Sequence, residues 1–208
     1  YTDKPTVQDA DKNTIHPNAF NVSRSYINVT GNLSHLVAFR ITPDITRETG
    51  TGSTLSGSLT FRLKYAFGQV NFDDFLTHGS WARLGVQQTP FVDFMEGIYR
   101  YRFQGTIFEE REGFLTSSDF ALAAHSTLPG NYGDFHAGVY NGDGYQRVEA
   151  NNQKAFQIRG TVRPFPLGGN LKGLRLTAFY DADKYVKNGE RTRFVAAATF
   201  EHKYVNAA

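Results

Sequence analysis

The chain has 208 residues, of which 40% are hydrophobic, a formal net charge of +2 and no cysteine. That length suits one domain. The missing thiols remove disulfides, zinc fingers and thiol chemistry, and the small charge leaves no nucleic-acid footprint. Mean hydropathy is −0.43, and no apolar run approaches the ~18–20 residues of a membrane-crossing helix. The longest apolar patches, Phe120–Ala124 and Phe194–Ala198, are far shorter. Aromatic residues make up 14%, with 18 Phe and 11 Tyr, and there are 20 Gly. A β-barrel stays compatible with that balance, because its strands hide apolar groups at every second position and so keep mean hydropathy low. Tyr1-Thr-Asp-Lys4 has neither the basic nor the apolar region of a signal peptide, so an exported protein would be a mature form or a fragment.

Taken in chain order, the sequence predicts nine strands and no helix of useful length. The first, about Phe20–Thr30, slips in phase between Val22 and Ile27, which leaves the direction of Arg24 open. Val37, Phe39 and Ile41 then alternate with Ala38, Arg40 and Thr42. The clearest strand follows, with Leu59, Phe61, Leu63, Tyr65 and Phe67 set against Thr60, Arg62, Lys64 and Ala66. Ala82, Leu84 and Val86 alternate with Arg83, Gly85 and Gln87. Phe120, Leu122 and Ala124 oppose Asp119, Ala121, Ala123 and His125. Phe135, Ala137 and Val139 oppose Asp134, His136 and Tyr140. Phe156, Ile158 and Val162 face away from Gln157, Arg159, Thr161 and Arg163. Leu174, Leu176, Ala178 and Tyr180 oppose Arg175, Thr177 and Asp181, and Phe194, Ala196, Ala198 and Phe200 oppose Arg193, Thr199 and Glu201.

The connections fall into two alternating kinds. Gly31–Ser34, Phe72–Gly79, Pro129–Gly133 and Phe165–Lys172 are short and rich in Gly, Pro, Asn and Asp. Pro43–Ser56, Phe91–Ser117, Asn141–Gln153 and Asp183–Glu190 are mostly longer. Tight turns at one end and longer loops at the other are expected of an outer-membrane barrel, and a β-sandwich has no reason to sort its loops this way. Counted this way, the first strand starts on the long-loop side and the ninth ends on the short-turn side. A closed single-chain barrel has an even strand count, so the expectation is one incomplete all-β domain over residues 1–208, an antiparallel transmembrane β-barrel with strands missing at both ends.

Arg24-Ser-Tyr-Ile-Asn-Val-Thr-Gly31, Leu36–Thr42 and Gly79-Ser-Trp-Ala-Arg-Leu-Gly-Val-Gln-Gln-Thr-Pro-Phe91 resemble the phosphate-selective porin O and P family of large bacterial outer-membrane porins. In architecture the resemblance runs from about Phe20 to Phe200. It implies a trimeric barrel of about 16 to 18 strands whose third outer loop narrows the pore. The sequence has no dense lysine ladder, so phosphate specificity is not part of what the resemblance implies.

The residues between the apolar positions would form the pore wall. Its bases are Arg40, Arg62, Lys64, Arg83, Arg159, Arg163, Arg175 and Arg193; its acids are Asp119, Asp134, Asp181 and Glu201. A base at mid-depth costs ~2–4 kcal/mol when it points into lipid, so these must face water, where they would attract anions. The alternative is a solvated wall in which neighbouring acids pair the arginines. Phe91–Ser117 is the longest connection and the candidate constriction loop, carrying Asp93, Glu96, Arg100, Arg102, Glu109, Glu110, Arg111 and Glu112; the alternative is an ordinary charged surface loop. Tyr99–Phe103 alternates charge with aromatic rings and reads as a short strand. Trp81, Tyr65, Tyr140 and Tyr180 read as interfacial girdle aromatics, with sugar-stacking platforms or plain core as the alternatives.

Six scattered histidines show no metal-ligand spacing, and no catalytic motif is present. His125 and His136 read as hydrogen-bonded wall residues, and Asn141-Gly-Asp-Gly144 as a turn. The expectation is therefore a non-enzymatic integral protein of the Gram-negative bacterial outer membrane, without cofactor or nucleic-acid partner. It would sit among lipid and lipopolysaccharide as a homotrimer and pass small hydrophilic solutes, anions preferred. The rival is a soluble all-β module binding carbohydrate or another ligand, whose apolar face would be its core. A barrel that sheathes an electron-transfer partner is a third reading.

Overall fold

In a computed structural model of the chain the described residues are 2–3, 5–20, 22, 25–149 and 151–207. Arg24 and part of the first predicted strand lie outside them. The fold is all-β and antiparallel, every long strand pairing with its neighbour in sequence. No helix among the described residues is long and apolar enough to cross a membrane.

The chain separates into two compact units, Tyr1–Ile27 with Pro43–Arg62, and Asn28–Thr42 with Leu63–Ala208. The first holds four two-residue strands, β1 (Thr2–Asp3), β2 (Val7–Gln8), β3 (Thr14–Ile15) and β4 (Asn18–Ala19), with β1 on β4 and β2 on β3. The Asp9 carboxylate closes the β2–β3 turn by accepting from the backbone N–H groups of Asp11 and Asn13. The same unit holds β5 (Ser25–Tyr26), which pairs with Asp44 and Ile45, and the ion pair Arg62–Asp44 at 2.7 Å. The strands β7 (Val37–Arg47) and β8 (Leu59–Asn71) contribute to both units.

The second unit is a ladder in the order β6 (Val29–Asn32), β7, β8, β9 (Trp81–Gln88), β10 (Ser118–Thr127), β11 (Gly133–Tyr140), β12 (Ala155–Val162), β13 (Leu174–Val186), β14 (Gly189–Glu201) and β15 (Asn206–Ala207). It is open, with β6 and β15 at its edges among the described residues. Each of the eight clean alternations therefore forms a strand, most of them longer than the pattern alone marks. β13 and β14 run on to meet through Lys187 and Asn188, so the longer loop predicted at Asp183–Glu190 is instead a tight hairpin.

The two faces of this ladder are inverted relative to a water-soluble sheet. Phe194 is 69% exposed and Leu122 60%, and Leu63, Leu84, Phe120, Phe135, Val139, Phe156, Val162 and Leu176 are each 44–59% exposed. The opposite face buries Thr42, Gln87, His136, Thr161 and Asp181 almost completely. A fully buried Leu or Phe stabilises by roughly 1.5–3 kcal/mol, so ten such side chains half in water forfeit on the order of 10 kcal/mol. That equals the whole net stability of an ordinary domain, ~5–15 kcal/mol.

Two predictions fail within the strands for identifiable reasons. In β8 the phase reverses: Leu63 is outward, whereas Lys64 and Tyr65 are both buried and Phe67 follows them inward. Such a reversal is what an extra bulged residue produces. Opposite Phe67, Gly85 has φ +130, and a Cβ there would lie 2.2 Å from the Ala66 carbonyl oxygen. Only glycine permits that approach. Of the four predicted girdle aromatics, Tyr180 alone faces outward, because Tyr65, Trp81 and Tyr140 sit on the polar face.

Candidate functional site

The segment between β9 and β10, residues 89–117, lies on the polar face. It begins with α1 (Pro90–Ile98), which the sequence reading missed, and later forms the short α2 (Phe108–Arg111). The signals for α1 were present: Pro90 at the first helical position, Asp93 in the first turn, and apolar residues at 91, 92, 95 and 98. Tyr99–Phe103, predicted as a strand, is a turn in which neighbouring rings lean on one another, since Tyr99 caps α1 through its N–H to the Met95 carbonyl.

What seats this segment is apolar. Phe91, Val92, Met95 and Ile107 form a buried cluster with Phe179, the Phe91 and Phe179 rings 5.4 Å apart, and Val195 and Ala197 pack beside them. Phe179, Val195 and Ala197 occupy positions where alternation calls for polar residues. The continuous apolar run Phe194–Ala198 marked this spot in the sequence: both faces of β14 are apolar where a segment packs on the inner one. The ends of the segment are drawn together by the Thr89 N–H to the Ser117 carbonyl and the Thr89 hydroxyl to the Thr116 carbonyl. Arg102 ties α1 to α2 by pairing with Glu96 at 2.7 Å and Glu110 at 3.4 Å. Arg100 reaches Glu201 at 3.8 Å, so the segment starts at one end of the strands and touches the other.

Beneath α1 the wall is basic. Arg40 hydrogen-bonds Thr42 and Asn28 and stacks on Tyr65, 4.5 Å from the ring centre. Arg83 donates to Gln69 and Gln88 and lies 3.7 Å over Trp81. Arg159 donates to Thr161 and Asp134 and lies 4.9 Å over Phe94 of α1. Among the described residues no carboxylate comes within ion-pair distance of Arg40 or Arg83. Asp93 is the carboxylate that acts on Arg83, and Arg83, Arg159 and Arg40 act on it in that order. Burial nevertheless outweighs them and pushes the Asp93 carboxyl above the usual carboxylate range; burial raises Glu96 likewise, against Arg102.

The remaining predicted residues separate into three groups. Arg62, Arg159, Arg175 and Arg193 pair with Asp44, Asp134, Glu201 and Asp181, so half of the predicted basic wall is compensated. Lys64 is buried on the polar face near the Tyr65 and Tyr145 rings, and Arg163 lies just past β12, donating to the Lys172 carbonyl. Of the loop residues, Asp93 is set against Arg83, Arg159 and Arg40 of the basic wall, and Glu96 lies within the field of Lys64. Glu96 and Glu110 pair with Arg102, Arg111 pairs with Glu112 at the exposed surface, and Glu109 uses its carbonyl to close the turn at Phe114.

His125 and His136 are register partners on the polar face. His125 is hydrogen-bonded to Asp134 and the Gly79 carbonyl, and His136 to the Tyr140 hydroxyl. No group of metal-ligating side chains gathers among the described residues. Asp119, read as a wall acid, accepts from the Gly142 N–H at 2.6 Å and orders the turn at 141–144. Comparison with known families, curated proteins and solved structures gives no match.

Proposed function

We infer that the ladder is part of the wall of an outer-membrane β-barrel, and that the barrel is a porin for small hydrophilic solutes. The observation that carries this is the inversion of the two faces: apolar residues exposed, polar and charged residues buried. A lipid-facing outer surface and a watered inner one account for both, whereas a soluble sandwich or lectin would bury Leu122 and Phe194 and expose Asp181 and Arg159. An open ladder has edges and a closed barrel has none, so closure takes further strands paired to β6 and β15. No chemistry is needed. The segment 89–117 narrows the passage, and the field between Asp93 and Arg40, Arg83 and Arg159 selects what crosses it. With half of the wall bases compensated, the anion preference is modest and centred on Arg40 and Arg83.

The test is reconstitution of the detergent-purified protein into planar bilayers. The reading predicts discrete ohmic conductance steps with a chloride-over-potassium preference. A protein that stays monodisperse without detergent and gives no steps contradicts it.

A further inference from the structure

The exposed face of the ladder holds a feature that passage through a pore does not use. There β12, β13 and β14 carry an apolar groove of about 670 Å³, within the ~300–1,000 Å³ typical of ligand sites. Its floor is the register row Gly160, Ala178 and Ala196, and Val162 and Leu176 wall it on the side of the short turns. Ile158, Tyr180 and Phe194, the next outward row, stand on the other side, and Phe135 with Leu128 closes one end. At Ala198, the register partner of Leu176, the wall drops, so the groove opens over β14 towards the turn at 202–205. Asp134, the charged residue along it, turns its carboxylate to the opposite face, where Arg159 and His125 hold it.

The short turns at this end of the strands are basic. Residues 128–133, 163–173 and 202–207 contain Arg163, Lys172, His202 and Lys203 and no carboxylate, whereas the other end of the same strands carries Asp143, Glu149, Asp183 and Glu190. Lys172 and Lys203 are exposed and line one hollow together, and Arg163 donates to the Lys172 carbonyl just past Val162. The same turns expose the rings of Tyr132, Phe165 and Tyr204, the last with the Lys203 ammonium 4.5 Å from its centre. Aromatic rings of this kind settle at the level of lipid headgroups, and clustered Lys and Arg beside a bilayer attract anionic ones. An apolar groove that opens towards bases without acids complements a molecule with an alkyl chain and a negatively charged head.

We propose that the groove seats one acyl chain of an anionic phospholipid whose phosphate-bearing headgroup lies at Lys172 and Lys203. The proposal rests on the reading of this face as lipid-facing, and the short turns then place the lipid in the periplasmic leaflet. Native mass spectrometry of the detergent-purified protein, titrated with phosphatidylglycerol and with phosphatidylcholine of the same chains, tests it without requiring transport. Phosphatidylglycerol is expected to bind at least tenfold more tightly. Gly160→Leu fills the floor of the groove and should weaken that binding severalfold; a Cβ at Gly160 meets nothing within 4 Å, so the strand accepts it. Lys172→Gln combined with Lys203→Gln should bring the two lipids to within about twofold of each other. Equal binding of the two lipids by the unmodified protein, phosphatidylglycerol binding that Gly160→Leu does not weaken, or a preference that survives the double substitution would each overturn it. A protein that conducts in bilayers yet shows no preference counts against the groove alone; one that stays monodisperse without detergent overturns the lipid-facing surface and the groove with it.

Discussion

In the proposed channel, Asp93 is the residue on which selectivity would turn. It is the one acid of the long segment set against Arg40, Arg83 and Arg159, and burial raises its pKa. As pH falls through that raised value the carboxylate gains a proton and the wall keeps its charge, so the passage becomes more basic. Chloride preference, read from reversal potentials in a salt gradient, should therefore rise as pH falls. Asp93→Asn should hold it at the high level and flatten the profile. One unit charge at close range in a watered site is worth ~1 kcal/mol, about a fivefold change in permeability ratio. A variant with the unmodified profile would remove Asp93 from the narrowing. The same shift bears on stability: the contribution of Asp93 and Glu96 to the folded segment is complete below the ordinary carboxylate pKa and is lost as pH rises through their raised values. The sequence brought Asp93 into a group of eight loop residues. It had no means of singling it out, because facing the wall depends on the turn of α1, and the alternation rules describe strands.

At the scale of elements, the segment 89–117 is held by packing more than by charge. Phe91 is buried against Phe179, and truncating a core Phe costs ~3–5 kcal/mol. Phe91→Ala should release the segment. Limited proteolysis should then cut within the turn at 99–105, and single-channel conductance should step upward; unchanged cleavage and conductance would mean that the segment is seated by something else. The strands themselves were legible, since period-two alternation states both their existence and their faces. Three features were not. The phase reversal at Lys64 and Tyr65 lies beside the close approach of the Ala66 carbonyl to Gly85 across the ladder, which no local pattern records. α1 is only nine residues long, too short for a helical period to stand out beside longer strand signals. The β13–β14 hairpin closes through Lys187-Asn188, where polar residues extend two strands that the alternation rule had already ended.

At the scale of the whole molecule the claim is one of inversion. Alternation alone fits a soluble sheet with the apolar face in the core equally well; the extra fact is which face the fold covers. The protein has no cysteine, so single cysteines placed along β10 can carry a spin label without background. The positions are Phe120→Cys, Leu122→Cys and Ala124→Cys on the outer face, and Ala121→Cys, Ala123→Cys and His125→Cys on the inner one. With the protein in lipid vesicles, collisions with dissolved oxygen and with a water-soluble nickel complex report lipid and water exposure. The account predicts a period of two, with 120, 122 and 124 open to oxygen and closed to nickel, and 121, 123 and 125 lacking that lipid signature. Labels at 120, 122 and 124 that collide freely with nickel, or show no oxygen preference over their neighbours, would contradict it.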